Sequence, residues 1–234
     1  MRVDFPSLKN LERPPALPVE ALLDPGEGAS IVQLVRTEPG KRSPFTSRIE
    51  LSPLHCRPQH DTGHRYAMPF GGEHPRVLTQ GVQGARTPQG EFPHAFDFAM
   101  PVGTPVLAAR AGYGMQVVDR HGPGGSDPVL LNRANVVLVG HEDGSIAQYS
   151  HLSRDIRVRR GQRVDVGDEL ARSGNSGYSH GPQLHFAVSV LGSEGRYRSV
   201  PIRVVGGGAD GLLPVEGQAY APASSPASTP AAPE

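Results

Sequence analysis

Between residues 76 and 190 the chain runs through short strand-like segments separated by glycine turns. "HAFDFAM", "PVLAARAG", "GMQVVD", "NVVLVGHEDG", "SIAQYSHL" and "QLHFAVSV" follow one another, and no helix-period stretch of useful length interrupts them. The composition points the same way, since 29 glycines and 24 prolines with 6% aromatic residues favour tight turns over long helices. An all-β fold is expected.

Lys plus Arg and Asp plus Glu both number 23, so the formal net charge is zero. No long-range field then steers nucleic acid or an anionic membrane to the protein, and nucleic acid is not an expected partner. The densest basic run, Arg154, Arg157, Arg159, Arg160 and Arg163, reads as a solvated strand face, with an anionic glycan contact as its alternative. Cys56 is the single cysteine, which excludes an internal disulfide and leaves the redox compartment open. No apolar run is long enough for a transmembrane segment, and "MRVDFPSLKNLERPP" lacks the apolar core of a secretion signal. The expectation is a protein that stays inside, or a gene start placed downstream of the true one.

Four regions are expected. Residues 1–54 hold short apolar runs punctuated by proline and "DPGEG", a small β-rich accessory segment. Residues 55–75 form a polar, His-rich connector, 76–205 the main domain, and 206–234 a disordered Ala/Pro/Ser tail poor in large apolar residues. No internal repeat of solenoid length is present. In the connector His55, Cys56, His60, His64 and His74 are metal-ligand types, but their spacing matches no standard site.

Three polar residues sit in otherwise apolar strands: Asp97 in "HAFDFAM", His151 in "AQYSHLS" and His185 in "PQLHFAV". A carboxylate and two imidazoles converging in a β cleft suit zinc together with a general base or an oxyanion partner. Their flanks extend the pattern through "YAMPF", "VLTQGVQG", "DFAMPVGTPVLAARAG", "YSHLS", "GQRVDVGDELARSGNSGYS" and "GPQLHF". From about Tyr66 to Val190 this order of motifs resembles the lysostaphin-type, or LytM-like, zinc peptidase family of peptidoglycan endopeptidases. The resemblance implies a mostly antiparallel β sandwich or open barrel of the duplicated-hybrid-motif type, with the small N-terminal β segment beside it. It also implies zinc held by Asp97 and His185 with a further His, a catalytic role for His151, and a place in the cell envelope, periplasm or extracellular space.

Two positions depart from the family pattern. A Ser-His pair, the source of the first zinc ligand, would fall at Thr87 and Pro88, and proline offers no side-chain donor. Gln183 stands where the closing motif has its first, catalytic His, and an amide neither takes a proton near neutral pH nor carries positive charge. His94 and His180 lie near the two gaps. His94 is the candidate substitute ligand, although strand alternation turns it away from Asp97 unless a bulge intervenes. The expected function is a family member with a degraded zinc site and possible loss of the metal, acting as a binder of wall peptides or a regulator of a partner wall hydrolase. The alternative is an active zinc endopeptidase that uses a substitute third ligand. The "VRRGQRVDVGDELARSG" stretch also resembles the hammerhead turn of biotinyl and lipoyl carriers, but those carriers need a lysine at the tip and the only lysines, Lys9 and Lys41, lie outside the main domain, so the pattern reads as shared β-turn architecture.

Overall fold

A computed structural model describes residues 2–14, 19–20, 30, 32–50, 60–82, 93–192, 196–206, 208 and 210–223. The chain divides into two compact units, 1–56 and 57–234. In the first, Arg2–Leu8 (β1) is flanked by Val19–Glu20 (β2) and Phe45–Glu50 (β3) in an antiparallel sheet. Val3 and Phe5 alternate onto its buried face, and the Phe5 ring meets Phe45 edge-on at 6.0 Å.

Among the described residues the second unit contains fourteen strands. They are Arg65–Tyr66 (β4), Arg76–Gln80 (β5), Phe96–Ala99 (β6), Pro105–Leu107 (β7), Gly112–Val118 (β8), Val136–Gly140 (β9), Ile146–Ser150 (β10) and Leu152–Ile156 (β11). Arg163–Val164 (β12), Glu169–Ser173 (β13), Gln183–Leu191 (β14), Tyr197–Ser199 (β15), Arg203–Val204 (β16) and Ala219–Tyr220 (β17) complete the set. The large sheet runs β12-β8-β9-β10-β14-β6-β5-β17, with β15 also paired to β14, and all its pairings are antiparallel. A smaller antiparallel sheet, β11-β13-β7, shares its core, while β4 and β16 pair in parallel. The all-β expectation holds.

Period-two alternation decides which face of the large sheet is core. Leu184, Phe186 and Val188 of β14, Val137 and Val139 of β9, and Ala147 and Tyr149 of β10 are all fully buried. Leu152, Leu170 and Val106 reach the same core from the smaller sheet. Burying each leucine or phenylalanine side chain contributes about 1.5–3 kcal/mol, enough to pin the register. Tyr149 carries its hydroxyl into this core, where it accepts a hydrogen bond from the Ala109 N–H at 2.9 Å. The opposite face of β14 is left with Gln183 and His185.

Both expected boundaries of the main domain shift outward. The segment expected to be a connector already packs within the domain: Tyr66 and Phe70 are fully buried, and β4 pairs with β16. Residues 206–223, expected to begin a disordered tail, instead carry β17, which pairs with β5 and buries Tyr220 against the Phe98 ring. One aromatic residue is enough to anchor so short a strand, which a reading of mean composition misses. The remainder of that expected tail, 224–234, lies outside the described residues, as do His55 and Cys56.

A polar knot ties this early segment to the sheet. Arg110 donates to Asp143 at 2.7 Å and to the Tyr66 hydroxyl at 3.2 Å, and the Asp61 N–H donates to the same Asp143 oxygen. Burial raises the Asp143 carboxyl, but the Asp61 N–H, the Ser145 hydroxyl and N–H, and Arg110 outweigh it and hold the group well below the usual carboxylate range. Beside the knot, burial pushes His141 from 6.5 down to about 4, against the pull of the Ala111 carbonyl, to which its Nδ1–H donates at 2.9 Å. Burial lowers His60 and His64 as well.

The unfolded chain therefore binds protons that the folded His141 refuses. Stability is full above about pH 6.5 and is lost as pH falls toward about 4. Urea unfolding at pH 7 and pH 4.5 should differ by about 2–3 kcal/mol on account of His141. His141→Gln, which keeps a donor and removes the titration, should shrink that difference; an unchanged difference contradicts the assignment.

Candidate functional site

The register of β14 between its two neighbours assembles the site. His185 lies directly opposite Asp97 on β6 and opposite Ser150 on β10. Residues directly opposite one another on a sheet point to the same side, so the carboxylate and the imidazole converge on the face away from the core. His185 Nδ1–H donates to Asp97 Oδ1 at 2.8 Å, with both side chains largely buried. Gln183 lies two residues earlier on the same face of β14, opposite Ala99.

His151 enters from the junction of β10 and β11, and its ring centre lies 6.2 Å from that of His185, edge to face. Its backbone has φ +63°, the left-handed region that a side-chain-bearing residue adopts at a cost of about 1–3 kcal/mol. This turn swings the imidazole into the cleft. The Nδ1–H donates to the Ser176 carbonyl at 2.8 Å, which fixes the neutral tautomer and leaves Nε2 as an acceptor. Burial lowers the His151 pKa and the neighbouring His185 lowers it further, against the Ser176 carbonyl and Asp97.

Asn135, just before β9, supports His151 from below. It is 1% exposed. Its amide accepts from the His121 N–H at 2.8 Å and donates to the His121 and Leu152 carbonyls at 3.0 and 3.2 Å. Its own N–H donates to Ser176 Oγ at 2.8 Å, and Ser176 also donates to the Leu152 carbonyl. Leu152, the residue that follows the strained His151, is thereby held in place. Sequence reasoning missed Asn135 and Ser176; a buried polar residue abutting the apolar run "VVLVG" was the available signal.

A groove of about 490 Å³ extends from His151 and His185 across the open face of β10, β9 and β8. Gln116, Leu138 and Gln148 line one row of its floor, and the loop from Arg120 to Ala134 forms its wall. That loop is stitched to residues 175–179 by Gly124 N–H to Asn175 O at 2.6 Å and Gly125 N–H to Gly177 O at 3.0 Å. A Cβ at Gly124 would run into the Gly177 carbonyl, so only glycine allows this approach.

His94 and His180 have hydrogen-bond partners of their own. His94 donates its backbone N–H to Ser199 Oγ at 3.0 Å, and its Nδ1 is buried with no hydrogen-bond partner among the described residues. His94, Asp97 and His185 do not form a metal-holding group, nor does any three of the described His, Cys, Asp or Glu residues. His94 lies in the turn that precedes β6, where strand alternation does not fix its direction. His180 sits at the surface with its Nδ1 3.1 Å from Ser126 Oγ. Thr87 and Pro88 lie outside the described residues.

Residues 91–197 match peptidase family M23. Over 96 residues the chain is 39% identical to the peptidoglycan DD-endopeptidase ShyA of Vibrio cholerae, an alignment covering 41% of this chain and 20% of that protein. It is 36% identical over 94 residues to the glycyl-glycine endopeptidase ALE-1 of Staphylococcus capitis, covering 40% and 23% of the two chains. Among solved structures, a mutant catalytic domain of the prophage-encoded M23 protein EnpA from Enterococcus faecalis is 28% identical, covering 58% of this chain and 94% of that one, with a TM-score of 0.42. The chain spans about a fifth of the length of the first curated relatives it matches.

Asn135→Ala should strip partners from His121 and Leu152 and lower stability by about 2 kcal/mol in urea unfolding. The His151 ring resonances should move with it, since the strained turn loses its support. Wild-type stability with unmoved His151 resonances would refute this role for Asn135.

Proposed function

From the premise that residues 91–197 belong to peptidase family M23, we propose that this protein is a peptidoglycan-peptide binder built on the family's frame, with a degraded zinc site. The relatives ShyA and ALE-1 are named as peptidoglycan and glycyl-glycine endopeptidases, and the proposal carries their class of ligand, short wall peptides, to this chain. Its place of action is then the cell envelope. Among the described residues, no helix is long and apolar enough to cross a membrane.

One feature carries the reading: the resemblance puts Pro88, which has no side-chain donor, at the third ligand position and leaves Asp97 and His185, 2.8 Å apart, as the two described donors. A catalytic zinc of this chemistry takes three protein ligands and keeps a fourth position open. The described donor set offers two, and the third position falls at Pro88, which has no side-chain donor. Among the described residues no third ligand joins Asp97 and His185, which supports a reading in which no hydrolytic step is assigned. Gln183 adds to this, because its amide cannot shuttle the proton that cleavage of a peptide bond requires.

What remains suits binding. His151 presents a neutral acceptor, Gln148 and Gln116 present amides, and Val136 and Leu138 provide apolar floor, a mixture that fits an extended peptide.

The test pairs metal content with digestion of purified peptidoglycan, using protein prepared without chelator. The expected result is less than stoichiometric zinc, no peptide release, and retention of the protein on peptidoglycan. Stoichiometric zinc lost in Asp97→Ala and His185→Ala, together with peptide release, would instead establish the active endopeptidase.

A further inference from the structure

We propose that Arg120 closes the far end of the groove as a carboxylate-recognition residue, so that the protein selects short peptides ending in a free α-carboxylate. The inference rests on the peptide-binding reading above and names the part of the peptide that is recognised.

The sheet register lays out the path. His185 pairs with Ser150, Ser150 with Val136, and Val136 with Val118, which gives one straight row across β14, β10, β9 and β8 on a single face. Arg120 follows Val118 by two residues, and both line the groove together with His185 at the opposite end. Four adjacent strands span about 14 Å between the outer two, which matches about four residues of extended peptide. An extended peptide seated at His151 and His185 therefore reaches its end near Arg120.

The charge pattern determines what sits there. Among the described residues Arg120 is the only permanently charged side chain lining the groove, and no described Asp or Glu lines it. No hydrogen bond or ion pair involves the Arg120 guanidinium among the described residues. Its backbone carbonyl is held at 2.7 Å by Arg154, which brings a second cation to that corner. Asp127, the acid within the wall loop, has an oxygen engaged with the Val129 N–H at 2.9 Å, and Asp119, next to Arg120 in sequence, does not line the groove. An anion is thus favoured at one end of the groove and nothing along it attracts a cation. A guanidinium offers the paired donors that a planar carboxylate accepts.

The test is calorimetric titration of the full chain with Nα,Nε-diacetyl-L-lysyl-D-alanyl-D-alanine, a peptide whose only charge is its terminal carboxylate, and with its C-terminal amide. At low salt the free acid should bind about fivefold more tightly, a ratio that shrinks as salt is added. Arg120→Gln, a substitution at an exposed position, should abolish that preference while leaving the affinity for the amide unchanged. Equal affinities in the wild type, or a preference that survives Arg120→Gln, would overturn the role of Arg120 and leave peptide binding intact. Failure of both peptides to bind would overturn the peptide-binding reading as well.

Discussion

The cleft depends on the register of β14 between β6 and β10. A slip of one residue would turn Leu184 and Phe186 outward and bury His185, and the apolar side chains forbid it by several kcal/mol. The same packing that builds the core therefore places Asp97, His185 and Ser150 opposite one another. Function is inherited from the core here, because no loop has to find its place for these three residues to meet.

Loops contribute what the sheet cannot. His151 is aimed by a left-handed turn, and that turn is held by Asn135 and Ser176 in a buried network whose hydrogen bonds are mutually dependent. The wall of the groove depends on a glycine contact so close that no side chain fits. A rigid floor with a stitched wall gives a site arranged before a ligand arrives, which reduces the entropy lost on binding. Pairing Asp97 with His185 gives a largely buried carboxylate and imidazole a mutual hydrogen bond.

Much of this was legible in the sequence because strands alternate. Asp97 and His185 stood out as polar residues in apolar strands, whereas His94 lies in the turn before β6, where parity has no hold. His151 was legible as a residue but not as a strained one, since positive φ leaves no mark in the "YSHLS" stretch. Composition failed at the edges of the domain. Tyr66, Phe70 and Tyr220 are single aromatics within polar or Ala/Pro-rich surroundings, and each is buried by partners distant in sequence. Arg120 was hidden for a similar reason: its importance comes from the row of residues leading to it across four strands, and only pairing reveals that row.

The central claim is that Asp97 and His185 serve each other rather than a metal. The most direct measurement is the ¹⁵N spectrum of the His185 imidazole before and after equimolar zinc is added. The account requires a protonated Nδ1, hydrogen-bonded to Asp97, whose resonances do not respond to zinc. Loss of the Nδ1 proton and a stoichiometric shift of that nitrogen on adding zinc would contradict it.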